Sequence, residues 1–229
     1  MEHESGHGIK AIVFDLFETL ITEWGHEKYT KRKMAADLGC PPEKFIPLWE
    51  ALHEKQYRGE IGFEESIRSV CGEQGISVSD ASIRHVTERR MQTKGVCFAH
   101  IRPDIFPMLQ KLRGMGYKTA ILSNCSEEEV ALLRESELAE LTDELILSYE
   151  TGFCKPQPEI YRLTAERLGV SLESCIFVGD GGSRELYGAA AVGMRPYRAM
   201  WYIRQMPVPP AEQPEFAVLE VPTDIMDLV

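Results

Sequence analysis

Three short apolar segments, each followed at once by a polar residue, constrain the fold of this chain most. They are residues 9–14 before Asp15, residues 118–122 before Ser123, and residues 175–178 before Gly179 and Asp180. Segments with helical periodicity lie between them. Strands that alternate with helices predict an α/β fold, in which helices cover both faces of a doubly wound, Rossmann-like parallel sheet. Shorter apolar segments at 145–147 and 216–219 are candidates for further strands.

The long stretch after the first of these strands breaks the alternation. It contains only helical patterns, separated by glycines and by the pair Pro41-Pro42. The predicted helices are 26–38, 43–57, 63–74 and 79–91. We therefore expect residues 21–95 to form an all-helical cap domain, inserted at the end of the first strand. Residues 1–20 and 96–229 are expected to form the α/β core domain.

Composition argues against several classes of function. With 25 Lys and Arg against 36 Asp and Glu, the formal charge is −11. Such a surface repels polyanions, so nucleic-acid binding through a broad basic face is not expected. A small anionic substrate remains compatible with this charge, because the local field in a cleft matters more than the net charge. No stretch approaches the roughly 18 apolar residues that a membrane span requires.

The cysteines indicate a reducing compartment. All six are scattered, without a Cys-x-x-Cys pair, which favours reduced thiols and a cytoplasmic protein. Residues 1–8, with His3 and His7, are expected to form a loose tail rather than a metal site. The sequence does not indicate an oligomeric state.

Polar side chains at the three strand ends predict a functional site. They are Asp15 with Thr19, Ser123 with Asn124, and Asp180, to which Lys155 is added from a Cys-Lys-Pro-Gln-Pro segment before a predicted helix. In open α/β sheets, ligands bind beyond the carboxyl ends of the strands. Taken alone, Thr19 is typical of a turn hydroxyl, Ser123 of a strand-end cap, and Lys155 of a surface charge. Their convergence favours a site.

These segments resemble, in order, the four motifs of the haloacid dehalogenase superfamily. The matching residues are Phe14-Asp15-Leu16-Phe17-Glu18-Thr19-Leu20, Ser123 in Ile121-Leu122-Ser123-Asn124, Lys155-Pro156, and Val178-Gly179-Asp180-Gly181-Gly182-Ser183-Arg184-Glu185. The resemblance covers about residues 9–193. The helical insert after the first motif is similar to the α-helical cap of the IA-like subfamily. Each motif is weak by itself, whereas four in the family's order are specific.

The resemblance implies a hydrolase in which Asp15 is the nucleophile. It also implies Mg²⁺ as cofactor, held by Asp15, Asp180 and the backbone carbonyl of Phe17. The physical reasons are clear: a carboxylate can form a covalent ester with its substrate, and two adjacent carboxylates repel each other unless a cation lies between them. Lys155 would neutralise charge and keep Asp15 ionised.

Other positions would contact the substrate or support the site. Ser123, Thr19 and Asn124 are expected to bind the substrate's phosphoryl group. Glu185 would act behind the metal through water. A glutamate in the first turn of a helix also stabilises the helix N-terminus, and this explains Glu185 equally well. Trp24 and His26 follow the first motif closely and are candidates to face the substrate.

Phe17 departs from the pattern of the family's phosphatases. These enzymes carry a second Asp there, which acts as general acid and then as general base, whereas a phenyl ring cannot exchange a proton. The family's 2-haloacid dehalogenases carry an aromatic residue at this position, because halide leaves without a proton. Tyr161, six residues after Lys155, also suits a dehalogenase.

The fourth motif favours the phosphatase instead. Dehalogenases resemble one another in a Ser-Ser-Asn run at that strand end and an Asp slightly downstream, and they use no metal. This chain has Gly179-Asp180-Gly181, and Arg184 where that Asp would fall. The segment that should offer a halide-binding Arg, residues 42–49, contains none. An Asp180 directed at Asp15 without a metal would be electrostatically costly.

The expected function is therefore a Mg²⁺-dependent phosphatase that acts on a small phosphorylated metabolite through an Asp15 intermediate. Three routes replace the missing acid: a substrate with a good leaving group such as an acyl phosphate, a proton from His26, or a proton from the substrate itself. The alternatives are a 2-haloacid dehalogenase and a non-catalytic protein that binds a phosphorylated metabolite.

Overall fold

The structure, a computed structural model, describes residues 8–229. The expectation for His3 and His7 falls on residues outside this range. Six strands form one sheet, in the order β3-β2-β1-β4-β5-β6, and every neighbouring pair is parallel. The strands are β1 (Ala11–Phe14), β2 (Lys118–Ser123), β3 (Glu144–Leu147), β4 (Cys175–Gly179), β5 (Arg195–Ala199) and β6 (Ala217–Leu219). The predicted doubly wound parallel sheet is confirmed.

Helices surround the sheet and fill the long connection after β1. They are α1 (Lys31–Asp37), α2 (Pro42–Ala51), α3 (His53–Tyr57), α4 (Phe63–Glu73), α5 (Asp80–Ala99), α6 (Ile105–Gly114), α7 (Glu127–Arg134), α8 (Glu137–Leu141), α9 (Ser148–Thr151), α10 (Pro158–Leu168) and α11 (Glu185–Ala191). Short 3-10 turns cover Leu172–Ser174, Gly182–Arg184, Ile203–Gln205 and Pro222–Leu228. None of the described helices is both long and apolar enough to cross a membrane.

The central strand β1 is buried on both faces. Ile12 and Phe14 belong to one cluster of buried side chains, whereas Ala11 and Val13 belong to the cluster on the opposite face. Successive side chains of a strand point to opposite faces, and a parallel sheet covered by helices on both sides buries all of them. This explains why the strand appears in the sequence as a continuous apolar run.

The helices α1 to α5, which we call the insertion, pack around an apolar cluster of their own. Phe45 stacks on Trp49, and the edge of Phe63 faces the Trp49 ring. The assignment of Trp49 to this core, made from its helical spacing with Phe45, agrees with its burial. The predicted domain boundary at residue 95 falls within α5, which continues to Ala99.

Several features of the fold differ from the sequence-based expectations. The predicted helix 43–57 is divided into α2 and α3, and the helix predicted to end at residue 91 continues to Ala99. The first predicted helix, 26–38, is an ordered loop followed by the shorter helix α1. Strand β5 was not predicted, because its sequence Arg-Pro-Tyr-Arg-Ala lacks an apolar run and its first residues are only partly buried. By contrast, the two short apolar segments at 145–147 and 216–219 are strands, as proposed.

Gly59 marks a close approach between the insertion and the core. Its φ is +66°, and a Cβ atom there would collide with the backbone carbonyl oxygen of Tyr149. Gly75 has a similar φ of +71°, yet a Cβ atom there would meet nothing within 4 Å. The two glycines therefore separate the cost of a left-handed backbone from the cost of a steric clash.

We expect Gly75→Ala to lower the free energy of unfolding by about 1–2 kcal/mol, the cost of a left-handed alanine. Gly59→Ala should cost clearly more, because the backbone of Tyr149 must also move. Urea denaturation of both variants checks this. Equal losses would show that the insertion does not depend on close contact at Gly59.

Candidate active site

The sheet order brings the predicted strand ends together. β1 lies between β2 and β4, so Asp15 after β1 has Ser123 on one side and Asp180 on the other. The backbone N–H of Asp15 donates to the carbonyl of Val178 at 2.8 Å, which continues the ladder to the edge of the sheet. From β1, the strands β2 and β3 extend the sheet to one side, and β4, β5 and β6 extend it to the other. Open α/β sheets bind ligands at such a point, where the strand order changes direction.

Asp15 is buried and held from two sides. Asp15 is only 6% exposed to solvent. One carboxylate oxygen accepts a hydrogen bond from Lys155 Nζ, and the other accepts from Thr19 Oγ1 at 3.1 Å. Burial alone would lower the pKa of Lys155, but the carboxylates of Asp15 and Glu185 outweigh burial and raise it. Lys155 is therefore a permanent cation that keeps Asp15 oriented.

Asn124 positions Lys155. The Asn124 side-chain oxygen accepts from the Lys155 backbone N–H at 2.8 Å, and its amide nitrogen donates to the Lys155 carbonyl at 3.1 Å. The Asn124 oxygen and one of its two amide N–H donors are thus engaged by the Lys155 backbone, and contact of Asn124 with a phosphoryl group stays a prediction. Ser123 is buried and lines one pocket together with Asp15 and Lys155. Its hydroxyl makes only a 3.5 Å contact with the Asn124 carbonyl.

The loop after β4 is built around Glu185. One carboxylate oxygen of Glu185 accepts from the Gly181 N–H at 3.1 Å, and the other accepts from Lys155 Nζ. A Cβ atom at Gly179 would collide with this carboxylate, which would then have to move. Asp180 accepts from the Gly182 N–H at 2.8 Å, and the buried Arg198 donates to the Asp180 backbone carbonyl at 3.0 Å.

The charges around Asp15 fit a divalent cation. Carboxylate oxygens of Asp15, Asp180 and Glu185 all lie within 4.8 Å of one another. Three carboxylates and the Lys155 ammonium sum to −2. Burial and the charge of Asp15 raise the pKa of both Asp180 and Glu185. Oxygen ligands are those that Mg²⁺ prefers, so these residues fit the ion that the sequence predicts.

The sequence indicated that Glu185 acts behind the metal through water. In the structure its carboxylate belongs to the same cluster as those of Asp15 and Asp180. Phe17 lines the pocket with them. The role of its backbone carbonyl as a metal ligand stays a prediction.

These residues line a pocket of about 270 Å³, which we call the strand-end pocket. Its lining also includes Glu18, which belongs to the first motif, and four residues that no motif indicated: Glu23, Tyr57, Lys94 and Glu129. Tyr57 and Lys94 belong to the insertion. The sequence signal for Glu129 is the run Glu127-Glu128-Glu129 at the start of α7.

Trp24 and His26 do not line the strand-end pocket. Trp24 is 37% exposed beneath Lys28, and His26 lines an adjoining cavity of about 400 Å³, here called the insertion cavity. The reason lies in Glu18, whose carboxylate accepts hydrogen bonds from the Thr22 hydroxyl and from the backbone N–H of Glu23. This turn directs Glu23 into the pocket. The substrate contacts predicted for Trp24 and His26 stay a prediction.

Tyr161 does not line the strand-end pocket either. It is fully buried, packs edge-on against Phe177, and donates from its hydroxyl to the Glu185 carbonyl at 2.9 Å. This position is explained by packing behind Glu185 and gives no separate support to dehalogenase chemistry.

Comparison with known proteins agrees with this geometry. The chain is 31% identical over 234 residues to a glyceraldehyde 3-phosphate phosphatase of Methanopyrus kandleri, covering 96% of this chain and 97% of that protein. It is 25% identical to an (S)-2-haloacid dehalogenase of Pseudomonas putida, covering 86% of each. A Bacteroides thetaiotaomicron enzyme of the same family, solved with magnesium and inorganic phosphate, superposes with a TM-score of 0.60 at 21% identity, covering 84% of this chain and 94% of that chain.

The family model for haloacid dehalogenase-like hydrolases matches residues 9–193, which include all four motifs and every residue of the carboxylate cluster. The chain therefore belongs to the haloacid dehalogenase-like hydrolase family.

Proposed function

We propose that this hydrolase is a Mg²⁺-dependent phosphatase, acting in the cytoplasm on a small phosphorylated metabolite through a covalent Asp15 intermediate. The three carboxylates of Asp15, Asp180 and Glu185, which lie within 4.8 Å of one another beside the single ammonium of Lys155, carry this proposal. A halide-releasing site has no need for such a cluster. The strand-end pocket of about 270 Å³ favours a small substrate.

The relatives support the same proposal. The Methanopyrus kandleri protein, which matches nearly the whole chain, is named a glyceraldehyde 3-phosphate phosphatase. Its substrate is a small organic phosphate of the size that the pocket favours. The cysteines support the proposed compartment, because all six are free thiols and five of them are buried.

Each residue has a role that follows from its contacts. The Asp15 carboxylate attacks phosphorus, and the bond from phosphorus to the leaving group breaks as the Asp15–phosphorus bond forms. Thr19 and Lys155 hold the nucleophile in place. The Ser123 hydroxyl and the Lys155 ammonium bind phosphoryl oxygens, whose charge grows in the transition state. Water then releases phosphate and regenerates Asp15.

Asp15 and Asp180, together with the Phe17 carbonyl and with Glu185 behind them, would hold the magnesium ion. When bound, the ion supplies positive charge that allows the anionic phosphoryl group to approach a site of three carboxylates. Asp180 is kept in position for this by the Gly182 N–H and by Arg198 on its own carbonyl.

A 2-haloacid dehalogenase is the second candidate. Phe17 favours it, because loss of halide needs no proton donor, and the similarity to the Pseudomonas putida dehalogenase points the same way. A protein that only binds a phosphorylated metabolite is the third. The two experiments below separate these three functions.

The first experiment removes the metal. Excess chelator should abolish phosphatase activity, and added Mg²⁺ should restore it. In calorimetric titration, Asp180→Asn should lose Mg²⁺ binding because it removes a carboxylate of the cluster. Glu18→Gln is the matched control: this carboxylate lines the same pocket but lies outside the cluster, so binding should persist. Halide release from a 2-haloacid in excess chelator would favour the dehalogenase.

The second experiment tests the nucleophile. With the small organic phosphate that it hydrolyses fastest in a substrate screen, the wild-type protein should form a hydroxylamine-labile phospho-aspartate. Asp15→Asn should not, because an amide cannot attack. Mass spectrometry of the trapped protein locates the phosphate. A wild-type protein that binds the substrate for hours, unlabelled and without product, would be a binding protein instead.

A further inference from the structure

The proposed phosphatase lacks a proton donor at Phe17, and the structure places a cation there instead. Lys94 of α5 lines the strand-end pocket, and its Nζ lies over the Phe17 ring, 4.7 Å from the centroid. A lysine ammonium is attracted to the face of an aromatic ring. The position that would hold an acid in the family's phosphatases thus carries a ring covered by a positive charge.

Lys94 is held by two carboxylates and keeps one donor. Its ammonium pairs with Glu23 and, at 2.7 Å, with Glu129. The side chain is only 15% exposed. An ammonium has three N–H donors, so two carboxylate partners leave one for a ligand in the pocket that Lys94 lines.

The neighbouring Arg90 shows that Lys94 does more than hold the insertion to the core. Arg90 lies one turn earlier on α5, pairs with Glu128, and reaches Glu129 at 4.0 Å. It lines the insertion cavity, whereas in the described structure it is not part of the strand-end pocket. Glu129 therefore has two cationic neighbours, of which Lys94 lines the strand-end pocket together with Asp15, whereas Arg90 does not line it.

A fixed cation and a proton donor suit different leaving groups. The carboxylates of Glu23 and Glu129 pair with the Lys94 ammonium and hold it at the pocket. A cation held in this way stabilises negative charge that develops beside it. An alkoxide needs a proton in order to leave, whereas a carboxylate leaves as a stable anion and needs only a positive partner.

We propose that Lys94 binds the departing oxygen of the substrate, and that the substrates of this site are acyl phosphates. This inference rests on the proposed phosphatase function. In the first step the bond between Asp15 and phosphorus forms, and the bond from phosphorus to the acyl oxygen breaks. The electron pair stays on a carboxylate that Lys94 neutralises. In the second step water adds its oxygen and both protons to the phosphoryl group, which leaves as phosphate, and Asp15 is again a carboxylate.

The test compares leaving groups in the presence of Mg²⁺. The substrates are acetyl phosphate, a series of substituted phenyl phosphates that differ in leaving-group pKa, and glycerol 3-phosphate. Wild-type kcat/KM should be highest for acetyl phosphate and lowest for the alkyl ester. Lys94→Gln should lose about 10²–10³-fold on acetyl phosphate, the usual effect of removing one donor to a developing anion. Its loss across the phenyl series should grow with leaving-group pKa.

Arg90→Gln is the matched control. Arg90 lies on the same helix as Lys94 and also contacts the glutamates of α7, but it does not line the strand-end pocket. The Arg90→Gln variant should keep the wild-type dependence on the leaving group. If it changes that dependence as Lys94→Gln does, or if Lys94→Gln loses the same factor on every substrate, Lys94 is a structural residue and the inference is wrong. A wild-type preference for the alkyl ester also overturns it.

Two further measurements keep the result interpretable. Thermal unfolding by circular dichroism shows whether Lys94→Gln folds. If it does not, Lys94→Met combined with Glu129→Gln removes the charge together with a carboxylate that it would leave unpaired. Trapping of the phospho-aspartate separates the two proposals. If no Asp15 ester forms with any phosphate, the phosphatase function fails. If it forms but the leaving-group dependence does not respond to Lys94, only the present inference fails.

Discussion

The buried contact of Lys155 with Asp15 and Glu185 is the interaction on which the rest of the site depends. It joins three separate parts of the chain: the end of β1, the segment before α10, and the first turn of α11. A lysine this deeply buried is tolerated only because two carboxylates pair with it. Removing Lys155 would leave the buried carboxylates of Asp15 and Glu185 without their cation, so this contact fixes the position of the strand ends as well as their chemistry.

The surroundings of this contact are arranged to keep it in place. Asn124 binds the backbone of Lys155 at two points, and Gly179 leaves room for the Glu185 carboxylate. Tyr161 holds the carbonyl of Glu185 from behind. A catalytic group works best when its neighbours fix it before the substrate arrives. These residues therefore stabilise the geometry of the ion pairs around Lys155.

A second set of charges connects the insertion to this site. Three consecutive glutamates at the start of α7 each receive a partner from the insertion: Glu127 accepts from the Phe63 N–H, Glu128 pairs with Arg90, and Glu129 pairs with Lys94. α7 begins shortly after Ser123 and Asn124 at the end of β2. The insertion is thus bound to the element that follows the expected phosphoryl-binding residues, and two of its side chains, Tyr57 and Lys94, line the strand-end pocket.

What the sequence predicted well is what local patterns and sheet topology determine. Asp15, Ser123 and Asp180 follow apolar runs, and parallel strands must end at the same edge, so their proximity could be inferred without coordinates. Lys94 and Glu23 could not be found in this way. They lie 71 residues apart, in a helix and a loop without any motif, and only their packing brings them together. Trp24 and His26 were chosen because they are near the first motif, but the turn at Glu18 determines which residue faces inward.

Phe17 and Lys94 have to be considered together, because each changes what the other can do. A carboxyl group at position 17 would lie beside the Lys94 ammonium. The ammonium would lower the pKa of that carboxyl group and keep the carboxyl group ionised. An ionised carboxylate cannot give a proton to a leaving group. A ring at this position avoids that pairing and offers its face to the cation. The missing acid and the cation beside it are therefore parts of one arrangement, in which the site stabilises an anionic leaving group instead of protonating it.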